Sequence, residues 1–267
     1  MRKLTSGICL ILALSLCLGL TTALAASQDS LEAVKAAGKL VVATSPDYAP
    51  YEFLDKEGKP VGADITLAQH IADQLGVELV IDQLSFDAVL AAAATGKCDL
   101  AIAGLVPKEE RKETMLFSDI YYNDGNQVIV ILKENADSIK TLNDFAGKRV
   151  AAQNATLQQT LVSEQLPGAQ LELISAIPDG IMMVMTGKAA GIALASVVAN
   201  QYIANYPELM ICESRFDYTS LGVAIAVPKT KPELLAAVNE IVKEVVDSGQ
   251  FFTWVDEAVQ LNNSLNN

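Results

Sequence analysis

Ala103-Gly104-Leu105-Val106-Pro107-Lys108-Glu109-Glu110-Arg111-Lys112-Glu113-Thr114-Met115-Leu116-Phe117-Ser118 is the stretch on which the reading of this chain turns. The apolar run Leu100–Ala103 stops at Gly104, a polar turn carries Arg111, and a short hydrophobic segment closes at Phe117-Ser118-Asp119. Glycine lets a ligand approach the backbone. The amides at a helix start point outward, and a guanidinium forks onto a carboxylate. Taken alone, the run Lys108–Glu113 reads equally as a solvated helix face with mixed charge.

Upstream, the pattern alternates. Leu40–Thr44 is a short buried strand bounded by turn residues. The loop Ser45-Pro46-Asp47-Tyr48-Ala49-Pro50-Tyr51-Glu52-Phe53 follows, then a hairpin-like turn at Asp55–Lys59. A helix opens at Gly62-Ala63-Asp64 and stops at Gly76, where Asp64 is expected to make an N-cap-type hydrogen bond. Val77–Ile81 is a strand, Ser85-Phe86-Asp87 opens a helix ending at Gly96, and Cys98–Ala103 is the strand entering the opening stretch. Strands alternating with helices imply a parallel-type sheet covered on its faces. Ligands of such sheets sit beyond the carboxyl ends of the strands. That edge would gather Tyr48, Tyr51, Phe86 and Arg111.

The character changes at Tyr121–Asn126, and a second alternation begins with strand Gln127–Leu132. Strands at Arg149–Ala152, Gln170–Ile174, Gly191–Ala195, Leu209–Cys212 and Val223–Val227 are interleaved with helices, and two helices, 231–247 and 250–260, close the chain. Met182, Met183 and Met185 fit core filling better than a cofactor site.

The N-terminus addresses compartment. Arg2 and Lys3 precede the apolar run Ile8–Leu20 and then Ala23-Leu24-Ala25, the layout of a secretory signal cleaved after Ala25. A lipid anchor at Cys17 is the weaker alternative, since Leu16 stands where a small residue is expected. Cleavage removes Arg2 and Lys3 and no acid, moving the formal charge by two from −13 to −15. So acidic a chain is unsuited to nucleic acid or anionic lipid. Cys98 and Cys212 are all that the mature part keeps, too few for a disulfide framework or a zinc site, and they read as small buried hydrophobes. No metal or cofactor is expected.

With these pieces placed, the chain resembles the extracellular solute-binding proteins of polar amino-acid ABC transporters, over about Leu40 to Trp254. The likeness rests on ordered signatures: Ser45–Phe53, Val61–Ala68, Ser85-Phe86-Asp87, Gly96–Leu100, Glu110-Arg111-Lys112, Phe117–Tyr122, Thr141–Val150 and Leu221–Val227. It implies an α/β, two-lobed periplasmic-binding-protein-like fold of type II, with two αβα lobes joined by two hinge strands near Gly125–Val128 and Thr219–Ala224. The domains would be residues 1–25 as signal peptide, 26–125 with 223–267 as lobe 1, and 126–222 as lobe 2. It also implies a monomeric, periplasmic or secreted receptor that delivers an amino acid or small carboxylate to a membrane permease. By the same resemblance Arg111 holds the ligand carboxylate, with amides near Gly104 and Leu105 and the hydroxyl and amide of Thr156. Tyr48, Tyr51 and Phe86 pack on the ligand, and Asp47, Val106 and Ala195 complete the expected site.

The chain departs from that pattern at several positions, among them Ala155, where glycine is usual. Val106 stands where a hydroxyl residue is usual, and Ala190 and Ala195 stand where aspartates are usual, the second being the one that binds the ligand ammonium. A buried ammonium without an anion is costly. Either another acid substitutes (Asp47, Glu52, Asp179 or Asp217) or the ligand lacks that group, which points to an anionic or weakly basic solute; Lys108 adds a possible second cation. Exported cyclohexadienyl or arogenate dehydratases share the resemblance, so an enzyme on the same scaffold is the alternative. Against it stands the single histidine, His70, inside a helix, which leaves only a carboxylate for general-acid work.

Overall fold

A computed structural model describes residues 30–266. The expected signal segment, with Cys9 and Cys17, lies outside them. Twelve strands and nine α-helices are described, in this order: α1 (Ser30–Ala37), β1 (Lys39–Thr44), β2 (Phe53–Leu54), β3 (Pro60–Val61), α2 (Ala63–Leu75), β4 (Glu78–Gln83), α3 (Phe86–Thr95), β5 (Leu100–Ala101), α4 (Glu109–Lys112), β6 (Met115–Phe117), β7 (Gln127–Leu132), β8 (Arg149–Gln153), α5 (Leu157–Gln165), β9 (Gln170–Ile174), α6 (Ile177–Met185), β10 (Gly191–Ala195), α7 (Ser196–Asn205), β11 (Leu209–Ile211), β12 (Ala226–Pro228), α8 (Pro232–Ser248) and α9 (Gln250–Asn266).

The strands form two five-stranded sheets, ordered β4-β1-β5-β12-β6 and β11-β7-β10-β8-β9. In the first, β1 runs parallel to β4 and β5, pairing Val42 with Ile81 and Leu100, while β12 runs antiparallel to β5 and β6. In the second, β8 is parallel to β9 and β10, and β7 is antiparallel to β10 and β11. Interior strands are apolar through their centres because helices cover both faces: every residue of β10 is buried, and β1 and β8 carry polar residues only at their ends. The last long helix, α8, buries Leu234, Val238, Ile241, Val242 and Val245, one stripe at helical spacing. Pro232 opens it, and Gly249 in the left-handed conformation ends it.

Each sheet is the centre of one lobe, and the chain crosses between them twice. The two crossing segments run side by side: Ser118 N donates to Ile225 O (2.9 Å), Tyr121 N to Val223 O (3.0 Å) and Val223 N to Tyr122 O (2.8 Å). This pairing shortens the expected strand Val223–Val227. Only Ala226–Pro228 joins the sheet, while Val223 makes an isolated bridge to Tyr122. The final helix runs further than the apolar spacing suggests, to Asn266, because Asn262 is buried against Gln201 of the second lobe. Cys98 and Cys212 are both buried free thiols.

Asp64 corrects one expectation. It does not cap its own helix; Gly62 is the cap residue. Its carboxylate accepts instead from Gly104 N (2.9 Å) and from the Tyr121 hydroxyl (3.0 Å), tying the start of α2 to the turn after β5. The fold thereby builds a second loop contact that helix periodicity cannot reveal.

Candidate ligand-binding site

The carboxyl ends of β1, β5, β8 and β10 face one another across the gap between the lobes. The cavity there is narrow, about 20 Å³. From the first lobe it is lined by Asp47, Tyr48, Glu52, Phe86, Gly104, Val106 and Arg111, and Asp124 of the crossing segment joins them. The second lobe contributes Gln153, Thr156, Leu157, Gln158, Ile177, Ala193 and Leu194.

Arg111 sits in the one-turn helix α4 and is only 7% exposed. Its Nη1 donates to Val106 O (2.8 Å) of its own lobe, and its Nη2 donates to Ala155 O (2.8 Å) of the other. The guanidinium carbon lies 5.5 Å from the centre of the Phe86 ring, within cation–π range. Burial lowers its pKa to about 10, so it remains charged at neutral pH. A guanidinium has five N–H donors. Two are used by the backbone carbonyls, which leaves donors for a ligand carboxylate.

Ala155 carries a positive φ of 62°, uncommon for a residue with a Cβ. That conformation turns its carbonyl to Arg111 while its amide donates to Gln159 Oε1 (2.7 Å). Of order 1–3 kcal/mol of strain is typical of such a residue, and it sits at the cleft. Thr156 caps α5: its hydroxyl accepts from Gln159 N (3.2 Å) and donates to Gln153 O (2.6 Å).

Asp47 reaches across the cleft. Its Oδ2 accepts from Gln153 Nε2 (2.9 Å) and from Ile177 N at the start of α6 (2.8 Å), and its Oδ1 accepts from Ser45 Oγ (3.1 Å). Tyr202 of the second lobe donates to its carbonyl (3.3 Å). A carboxylate at a helix N-terminus is favourable, although burial pushes its pKa up.

Of the residues expected from sequence, the structure brings Asp47, Tyr48, Phe86, Gly104, Val106, Arg111 and Thr156 to the cavity. Three others do not line it. Tyr51 is 0% exposed and stacks beneath Tyr48, with ring centres 5.8 Å apart. Leu105 is buried in the core of the first lobe. Ala195, the last residue of β10, has its side chain in the buried core, while its backbone hydrogen-bonds Tyr48. The Gly104 amide is already taken by Asp64, so it cannot be the anion donor that the strand-end glycine suggests. Lys108 pairs with Glu110 and donates to Thr160 (3.1 Å). His70 packs on Trp254, ring centres 5.5 Å apart.

Asp124 is the charged lining residue that sequence reasoning missed, and Leu157, Gln158, Ile177, Ala193 and Leu194 were not foreseen either. Asp124 is 2% exposed, with Ser220 Oγ donating to Oδ1 (2.8 Å) and Gln127 Nε2 to Oδ2 (3.3 Å). Burial raises its pKa. Its place in the turn-like Asn123-Asp124-Gly125 hides it, because that sequence reads as a solvent turn.

A two-lobed α/β clamshell with a buried guanidinium bridging its cleft defines a solute-binding protein. The model of the bacterial extracellular solute-binding proteins, family 3, matches residues 40–257, and the chain belongs to that family. Arginine-binding extracellular protein ArtP of Bacillus subtilis is 31% identical over 218 residues, 79% of this chain and 82% of its own length. An L-arginine-bound substrate-binding protein of a Streptococcus pneumoniae amino-acid ABC transporter superposes with a TM-score of 0.83 at 36% identity, over 87% of this chain and 98% of that one. The ancestral amino-acid-binding protein AncCDT-1, a precursor of cyclohexadienyl dehydratase, gives 0.79 at 31%, over 86% and 99%. These relatives are binding proteins, and this chain is a solute-binding protein rather than an enzyme.

Proposed function

We propose that this protein is an exported receptor that encloses an amino acid between its lobes and delivers it to an ABC permease. The observation that carries this reading is the position of Arg111: buried in the cleft, charged, hydrogen-bonded to both lobes and with donors to spare. Family membership and relatives named for arginine support it. In this reading the lobes are residues 26–125 with 223–267, and 126–222, and the paired crossing segments are the hinge. Residues 1–25 direct export to the periplasm or medium, and the receptor works as a monomer. The ligand carboxylate meets Arg111, Tyr48 and Phe86 pack on its body, and closure is favoured by whatever the ligand bonds to on both sides.

A thermal-shift screen of the proteinogenic amino acids and small carboxylates tests this. At least one free amino acid is expected to raise the melting temperature by several degrees, since a ligand at 100 times its Kd stabilises by about 2.7 kcal/mol. Silence across all amino acids would sink the proposal.

Asp47 supplies a second test. Its cross-cleft hydrogen bonds hold the lobes together independently of any ligand. Asp47→Ala is expected to leave the protein folded, expand its radius of gyration in solution scattering without ligand, and weaken affinity about tenfold, the worth of one or two charge-assisted bonds. An unchanged scattering curve together with unchanged affinity would remove Asp47 from the closing mechanism.

A further inference from the structure

One helix-to-strand turn occurs in both lobes. Gly96-Lys97-Cys98-Asp99 leads from α3 into β5, and Gly187-Lys188-Ala189-Ala190 leads from α6 into β10. Both glycines are left-handed, with φ of 71° and 70°. Each following lysine returns its amide to the helix, Lys97 N to Ala92 O (2.9 Å) and Lys188 N to Met183 O (2.8 Å). Asp99 N donates to Val41 O and Ala190 N to Arg149 O, both at 2.8 Å. β5 and β10 then run parallel to β1 and β8. Ala190 therefore holds in the second lobe the place that Asp99 holds in the first.

In the first lobe that acid is used. Asp99 Oδ2 accepts from Val41 N (2.7 Å), and its Oδ1 pairs with Lys231 in a concavity that Lys39 also lines. In the second lobe a methyl group stands there, and the surrounding charge is the reverse. The concavity, about 260 Å³, is lined by Asn135, Ser138, Lys148, Arg149 and Lys188 and by no acid. Among the described residues none of these three cations forms an ion pair. The acids of the neighbouring loop are committed elsewhere. Asp144, which feels the charge of Lys148, accepts from Lys140 N, Thr141 N and Thr141 Oγ1, and Asp137 pairs with Lys140. Neighbouring cations repel one another, and a negative group placed among them relieves that repulsion.

The donors define the class of that group. A guanidinium presents a planar fork and each ammonium a compact point charge, a combination suited to a small anion with several acceptor oxygens. Asn135 and Ser138 add neutral donors. A multiply charged anion uses three cations more fully than a single carboxylate does. We propose that this concavity of the second lobe binds a phosphate-type oxyanion in the place that Asp99 fills in the first. Arg149 begins β8 and Ala190 precedes β10, so the site lies at the end of the sheet opposite the ligand cavity and does not compete with the amino acid. Free phosphate and a phospholipid headgroup carry the same chemistry. The formal net charge of −13 repels an anionic bilayer and favours the free ion.

Thermal unfolding tests the site. In about 10 mM phosphate, against chloride at equal ionic strength, the wild-type melting temperature is expected to rise by about 3 °C. Ala190→Asp builds the internal acid of the first lobe. It is expected to abolish the phosphate increment and to melt above wild type in chloride. Arg149→Gln, which removes a cation without adding an acid, is expected to abolish the increment as well, whereas Arg111→Ala keeps it. Co-sedimentation with phosphatidylglycerol and phosphatidylcholine vesicles separates the two sources. Retention on the anionic vesicles alone, lost in Ala190→Asp, identifies a lipid headgroup; a response to free phosphate without retention identifies the ion. Absence of both responses overturns the proposal. So does an increment that survives in both Ala190→Asp and Arg149→Gln, or one that Arg111→Ala removes, which would place the anion in the cleft.

Discussion

Arg111→Ala is expected to abolish measurable amino-acid binding at micromolar concentrations. Truncating one partner of a buried, hydrogen-bonded charge pair costs about 2–5 kcal/mol, roughly 30-fold to several-thousand-fold in Kd. The larger end is expected here for two reasons. The guanidinium is 7% exposed, so water cannot replace it well. It also bonds Val106 O on one lobe and Ala155 O on the other, so its loss removes part of the closed geometry along with the ligand contact. Arg111→Lys keeps the charge but not the fork, and should recover only part of the affinity. Calorimetry with arginine decides the matter: a Kd for the alanine variant within threefold of wild type would remove Arg111 from the site. The same variant should lose about 1–3 kcal/mol of stability from the two orphaned carbonyls, and denaturant unfolding separates that loss from the binding defect.

The other large effect is on folding. Gly62 precedes α2 with a φ of 124°, and a Cβ built there would stand 2.3 Å from Tyr51 O and 2.9 Å from Pro50 O. Those two carbonyls accept the first amides of α2, Asp64 N (2.9 Å) and Ala63 N (3.0 Å). The helix start and the loop of Tyr48, Tyr51 and Glu52 are therefore pressed backbone to backbone, and only glycine fits. Gly62→Ala should cost about 3 kcal/mol or more, combining backbone strain with a steric clash against atoms that cannot rotate away. Gly76→Ala, where a Cβ would meet nothing within 4 Å, should cost only about 1–2 kcal/mol for its left-handed backbone. Urea midpoints for the two variants give the comparison. Equal losses would refute the close-approach argument.

These two residues mark how legibility varies along the chain. Arg111 could be found because its neighbours in sequence, the strand end at Gly104 and the segment Phe117-Ser118, belong to the same local unit. Phe86 and Tyr48 were legible because each follows a readable strand and so falls at the same sheet edge. Tyr51 was misplaced by the same logic: a loop tyrosine reads as displayed, yet α2 turns the loop inward and buries it at 0% exposure. Gly104 was found as a turn, but not that Asp64, forty residues earlier, would occupy its amide. Asp124 escaped altogether, because a polar residue beside glycine in a crossing segment carries no periodicity.

By itself the sequence determined the alternation of strand and helix, and hence two covered sheets with a cleft at their carboxyl ends. Apolar period and turn chemistry are local properties, and local properties can be read along a chain. It determined as well that a guanidinium would stand at that cleft. Only the tertiary structure decided which acids face it. Glu52 and Asp124 are far apart in the chain and masked by turns, and their burial depends on how the loop after β1, the helix start at Gly62 and the paired crossing segments close around them. The charge balance of the cavity is a property of that closure, since an unpaired carboxyl becomes costly only once the surrounding elements have taken it out of water.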